Sequence, residues 1–195
     1  MRERKARAAG ADVRERLADF GPVVQLGYVP RDLDAEINFW LQTMRVGPFF
    51  RLEHVRVSQT FAFGQLIESD LTIAFAYWND TQLELIRQNT TGPSIYSNWI
   101  KNGNSGVHHL GINVEDVESA RAFALEAHGK VVHEASMPGI AHAILVDFGP
   151  QPGHLIEFAH LSPAYRGLFE SVRQAAMTWD GTDPVRPLPQ LDSIA

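Results

Sequence analysis

The chain has 195 residues, a length that suits one compact domain or two small fused ones, and its 45% apolar content allows a sizeable core. Its net charge of −6 gives no support to nucleic-acid binding, and the absence of cysteine excludes disulfides and thiolate metal sites. No apolar run approaches the length that spans a bilayer. The Arg-rich stretch Met1 to Leu17 lacks the apolar segment of a secretory signal, and Glu3, Asp12 and Glu15 argue against a transit peptide. A cytoplasmic protein with neither a nucleic acid nor a membrane as partner is the expectation.

Residues 3–19 favour a helix with few apolar anchors, and residues 23–29 a strand. Asp32 or Asp34 can cap the next helix, in which Ile37, Trp40, Leu41 and Met44 recur at helical spacing until Gly47-Pro48 stops it. Phe49 to Phe63 offers one or two strands, and Leu71 to Tyr77 a strongly apolar one. After the turn at Asn79-Asp80, Thr81 to Arg87 forms the strand that carries Glu84. Residues 89–105, rich in Asn, Thr, Gly and Ser, read as a linker with a short helix near 93–101. A strand at 107–113 then leads to a helix at 116–128, with Gly129 as the expected left-handed cap. Strands at 130–135, 140–147 and 154–159 follow, then a helix from Pro163 to about Trp179 and a Pro-containing tail expected to be extended or disordered.

This order contains a repeat. Gln25-Leu26-Gly27-Tyr28-Val29-Pro30-Arg31-Asp32-Leu33 returns as His109-Leu110-Gly111-Ile112-Asn113-Val114-Glu115-Asp116-Val117, with Leu-Gly and Asp in the same register. Each copy is followed by a strand with a carboxylate among apolar residues, Glu84 in one and Glu157 in the other. Two copies are too few for a solenoid and suit two modules that pair around one site. The predicted organisation is an N-terminal helical extension (1–21), a first βαβββ module (22–90), a linker (91–105), a second βαβββ module (106–161) and a C-terminal helix with its tail (162–195). The fold class is α+β, a curled mixed sheet around a cleft with the helices outside.

Four polar residues occupy equivalent points of the two copies: Gln25 and His109 on the first strands, Glu84 and Glu157 on the last. Carboxylates between large apolar residues are costly unless paired or bound to metal. If the modules face each other the four converge, and an amide oxygen, an imidazole and two carboxylates form a donor set for one Zn, Ni, Co, Mn or Fe ion. Alternation sends the neighbouring His108 to the opposite face. Phe49, Phe50, Phe61, Phe63, Tyr96 and Trp99 are candidates for an apolar substrate wall, although core packing is the commoner fate of such residues.

Over about residues 22–160 the chain resembles the vicinal oxygen chelate superfamily, the glyoxalase I, bleomycin-resistance and extradiol dioxygenase group. The resemblance is strongest in Gly106-Val107-His108-His109-Leu110-Gly111 with Asp116, and in Leu155-Ile156-Glu157-Phe158. It implies metal ligands at Gln25, Glu84, His109 and Glu157, an order similar to that of zinc-type glyoxalase I, while the His-His-Leu-Gly segment is closer to the methylmalonyl-CoA epimerase branch. The implied activity is that of an isomerase, epimerase or lyase, working through a metal-stabilised enediolate on a substrate with vicinal oxygens. Glu157 is the implied base, and Glu53 or Glu84 the second base of an epimerisation. The basic residues that grip glutathione find no match, and Gln88 stands where glyoxalase I has an Asn. A metal-free protein that sequesters an apolar or aromatic ligand is the alternative from another class. An extradiol-type dioxygenase ranks lower because Gln25 replaces its first His. The family often pairs modules across a homodimer, and the stripe Tyr165, Leu168, Phe169, Val172 and Met177 could serve one or pack on its own domain.

Overall fold

The computed structural model describes residues 16–57, 59–149 and 155–188. Eleven strands and four α-helices are present among them. The first module runs β1 (Gln25–Val29), α1 (Leu33–Phe39), β2 (Phe49–Val55), a hairpin of β3 (Gln59–Ala62) and β4 (Gln65–Leu66), β5 (Leu71–Trp78) and β6 (Thr81–Gln88). After α2 (Ile95–Lys101) the second runs β7 (Gly106–Asn113), α3 (Val117–Glu126), β8 (Lys130–Met137), β9 (Ala141–Asp147) and β10 (Leu155–Leu161). Then come α4 (Pro163–Met177) and β11 (Val185–Pro187).

The repeated aspartates are helix caps. Asp32 accepts from the backbone N–H of Asp34 and Ala35, and Asp116 from those of Glu118 and Ser119, so each satisfies two of the donors that open a helix. α1 continues into one π-helical turn, Trp40–Met44, and Arg45 in the left-handed region closes it ahead of Gly47-Pro48. At the end of α3 the left-handed residue is His128, at φ 60°, and not the expected Gly129. Gly129 is needed for a different reason: a Cβ there would stand 2.7 Å from Val146 and 2.8 Å from Phe148. The long N-terminal helix expected at 3–19 falls mostly outside the described residues, and Leu17–Asp19 form a 3-10 turn. Part of the tail is ordered, because β11 pairs in parallel with β2.

All strands belong to one curled mixed sheet in the order β11-β2-β5-β6-β1-β7-β10-β9-β8-β3-β4. Its centre is symmetric. β1 and β7 run antiparallel, and each has its own module's last strand, β6 or β10, parallel on its outer side. The β3–β4 hairpin of the first module pairs with β8 of the second and ties the two halves together. Alternation sorts the side chains of each strand between the two faces. On the convex face Leu33, Ile37, Trp40 and Leu41 of α1 pack on Ala74, Ala76, Leu83 and Leu85. Val117, Ala120 and Ala124 of α3 pack on Ile144, Val146, Ile156 and Phe158.

The concave face is a cleft. At one end α2 packs on it, with Ile95 and Tyr96 against Val29, Ile86 and Leu145. At the other, Phe169 of α4 meets Ile73 and Phe75. Leu168, Phe169 and Val172 of the C-terminal stripe are thus buried in their own chain, and Met177 stays exposed. Among the described residues no helix is long and apolar enough to cross a membrane.

Candidate metal centre

Glu84 of β6, His109 of β7 and Glu157 of β10 converge on the concave face, with one donor atom from each lying within 4.8 Å of the others. His109 Nε2 is 3.5 Å from Glu84 Oε2 and 3.6 Å from Glu157 Oε2, beyond ordinary hydrogen-bond length, and it is buried with no hydrogen-bond partner. Gln25 is held by its amide nitrogen. Nε2 donates to Gln82 Oε1 at 2.8 Å, and Gln82 in turn donates to the Tyr77 hydroxyl at 3.1 Å. Gln25 Oε1 is left buried and unpartnered. Buried polar atoms are nearly always satisfied, so an orphaned imidazole nitrogen and an orphaned amide oxygen beside two carboxylates fit a divalent cation.

The repeated Leu-Gly pairs now have a cause. Gly27 is opposite His109, and Gly111 is opposite Gln25, across the central β1–β7 pairing. A Cβ on Gly27 would lie 2.0 Å from the His109 ring, and one on Gly111 would lie 2.6 Å from Gln25 Oε1. Each copy's glycine makes room for the other copy's donor.

A β-bulge between Gly27 and Tyr28 sets Gly27 opposite His109 but Tyr28 opposite Val107, so His108 is the extra residue. The alternation that was expected to separate the two histidines breaks there. His108 Nδ1 lies 3.0 Å from His109 Nδ1. A metal on Nε2 of His109 would leave its Nδ1–H to donate to His108. Burial, then the charges of His109 and His133, holds His108 down at about 3, which keeps its ring neutral and able to accept. Sequence reasoning missed this support, because a bulge leaves no clear mark in the residues that form it.

Burial pushes the Glu157 carboxyl up to about 7, with the His109 charge opposing and the Glu84 charge adding to the rise. Burial acts to lower His109, but the nearby carboxylates of Glu84 and Glu157 outweigh it, and the net direction is upward. The site is therefore a buried, electronegative point in a wall that is largely apolar on either side of it.

Glu53 is not brought to this point. It lies beside Arg51 and Thr72, accepting at 2.6 Å from Nε of one and from the hydroxyl of the other. Leu52, its neighbour in β2, packs with the cleft-side group of Ile73, Phe75 and Phe169, and alternation turns Glu53 to the other face. Gln88 donates to the backbone carbonyls of Thr90 and Gly92 and accepts from the Ser94 hydroxyl, holding the approach to α2. Of the six aromatics proposed as a substrate wall, Tyr96 lines the cleft of about 410 Å³. Phe49 is core beneath α1, and Trp99 packs edge-on against His108. Phe61 and Phe63 are exposed, and Phe50 lies under the Arg186 guanidinium. The wall is instead made by residues such as Ile73, Phe75, Ala143 and Phe169.

The chain belongs to the glyoxalase/bleomycin resistance protein/dioxygenase superfamily, whose family model matches residues 24–148. A search of the curated proteins finds no match. Among solved structures it is similar to methylmalonyl-CoA epimerase from Streptomyces coelicolor in complex with 2-nitronate-propionyl-CoA. One such structure gives 18% identity over 73% of this chain and 95% of that one, with a TM-score of 0.52. It is also similar to a hypothetical protein from Bacillus halodurans, with 16% identity over 71% of this chain and 93% of that one and a TM-score of 0.50. At such identities the likeness shows the fold alone.

Proposed function

We propose that this protein is a metal-dependent isomerase or epimerase, or a related lyase, that moves a carbon-bound proton of a small substrate with two adjacent oxygens. The observation that carries the reading is the Glu84–His109–Glu157 cluster, with the orphaned oxygen of Gln25, on the concave face of the sheet. A divalent ion held by these four donors would act as a Lewis acid toward the two oxygens and acidify the neighbouring C–H. Its identity, among Zn, Ni, Co, Mn and Fe, is left to measurement. Glu157 is the assigned base: it stands at the ion site, where release from the metal would free its carboxylate to take the proton. Glu84, on the mirror strand of the other module, is the candidate for a second base, a role for which Glu53 on the far face is poorly placed. His108 orients His109. The family resemblance also makes a homodimer the expected assembly, which sedimentation would check.

The test is metal content of the purified protein, followed by solvent deuterium exchange into 2-hydroxyacyl thioesters and hemithioacetals. About one equivalent of metal per site and exchange that is lost in Glu157→Gln support the reading; full exchange in that variant sinks the role of Glu157. The apolar cleft favours one rival, a metal-free protein that sequesters an apolar ligand. Tight binding of such a ligand by a protein that takes up no metal would favour it.

A further inference from the structure

The cleft has an uneven distribution of polarity. Its strongest buried polar point is the cluster described above, with Gln82 and Tyr77 beside Gln25. Away from that point much of the wall is aliphatic and aromatic, with Thr60, Ser69 and His133 set among these residues and charged groups at the rim. Val55, Leu71, Ile73 and Phe75 form one side, and Ala135 and Ala143 leave space on the other. α4 closes over this part, its Phe169 ring 5.0 Å from Phe75 and 4.8 Å from Tyr165.

The cations at the rim are already engaged. Arg166 donates to the Leu161 carbonyl and pairs with Glu115 at 3.1 Å, and Arg173 pairs with Glu170 at 2.7 Å and Asp80 at 3.1 Å. A polyanionic carrier would have to compete with those carboxylates.

We infer that the substrate is a small molecule with a vicinal-oxygen head and an alkyl or aryl body, the head on Glu84, His109 and Glu157 and the body in the apolar half of the cleft beneath α4. This rests on the metal-centre reading. Phe169, Phe75 and Ala143 then determine specificity by contact with the body. Burial of each added methylene raises affinity until the cleft is full.

Linear hydroxamates are suitable probes, because they carry two adjacent oxygens on a chain of any length. Metal uptake is measured first, by titration with Co(II). Affinities of acetohydroxamate, hexanohydroxamate and octanohydroxamate for the metal-loaded protein follow. The expected result is a rise of about fourfold per methylene over the first members. In Ala143→Phe, which fills the space, that slope should collapse. If the variant does not fold, the wild-type series alone decides. Equal affinities across the series, with Co(II) bound, would overturn the apolar body and leave the metal reading standing. Tighter binding of free coenzyme A than of octanohydroxamate would also overturn it. No uptake of Co(II) would remove the metal reading and this inference with it.

Discussion

At the scale of the residue, the site depends on small groups that make room for larger ones. Gly27→Ala would drive a methyl group into the His109 ring, at 2.0 Å from its nearest atom. The expected outcome is loss of metal binding, seen by calorimetry, together with about 1–3 kcal/mol of lost stability from overpacking. His108 acts through His109. Its replacement by Ala should weaken metal binding about 10–100-fold, and replacement by Gln, whose amide oxygen can still accept from Nδ1–H, should restore part of it. Glu157 makes a pH dependence with a definite sign. Its carboxyl is raised from 4.5 to about 7 in the folded protein, so the folded state binds the extra proton between those values. Without metal, this group's contribution to stability is full below 4.5 and is lost as pH rises to about 7. Glu157→Gln should therefore be more stable than the metal-free parent at pH 8 in thermal denaturation. Metal must displace that proton, so metal affinity should fall as pH drops below about 7, which titrations at several pH values would reveal.

At the scale of the element, the ends of helices show how far local rules reach. Asp32 and Asp116 cap α1 and α3 as their side-chain chemistry requires, and both are evident from residue type and position. The C-terminal cap of α3 is different. A glycine after a helix normally takes the left-handed conformation, but here His128 takes it, and Gly129 is set by the nearness of Val146 and Phe148 from another strand and the loop beyond it. His128→Gly should relieve that strain and gain about 0.5–1 kcal/mol, a rise of a few degrees in Tm. His128→Val should lower Tm instead, since a β-branched residue tolerates positive φ poorly.

At the scale of the whole molecule, the donors come from both halves. Gln25 and Glu84 lie on β1 and β6, His109 and Glu157 on β7 and β10, and the β3–β4 hairpin crosses to β8. The halves share a continuous sheet, so unfolding should be one transition by calorimetry. A metal that binds only the folded state raises stability by about 2.7 kcal/mol at a hundredfold excess over its Kd. For a chain of this length that is an upward shift of roughly 5–10 °C in the same single transition. Two separate transitions, of which metal moves one, would show that the modules fold independently.

The duplicated architecture, the capping aspartates and the four polar residues at equivalent points of the two copies were legible in the sequence, because each depends on residue type at a repeated spacing. What made Leu-Gly recur was not legible: the reason is a clash across a pairing between residues 27 and 109, distant in the chain. The same holds for His108, whose direction is set by a bulge, and for Glu53, whose distance from the site follows from the face on which β2 presents it. The wall of the cleft was also beyond the sequence, since apolar residues are common to both faces and only the curl of the sheet and the seat of α4 decide which of them enclose a ligand. Local pattern by itself determined which polar groups stand at repeated points; tertiary packing decided which of them meet, because burial and proximity belong to chain segments that only the fold brings together.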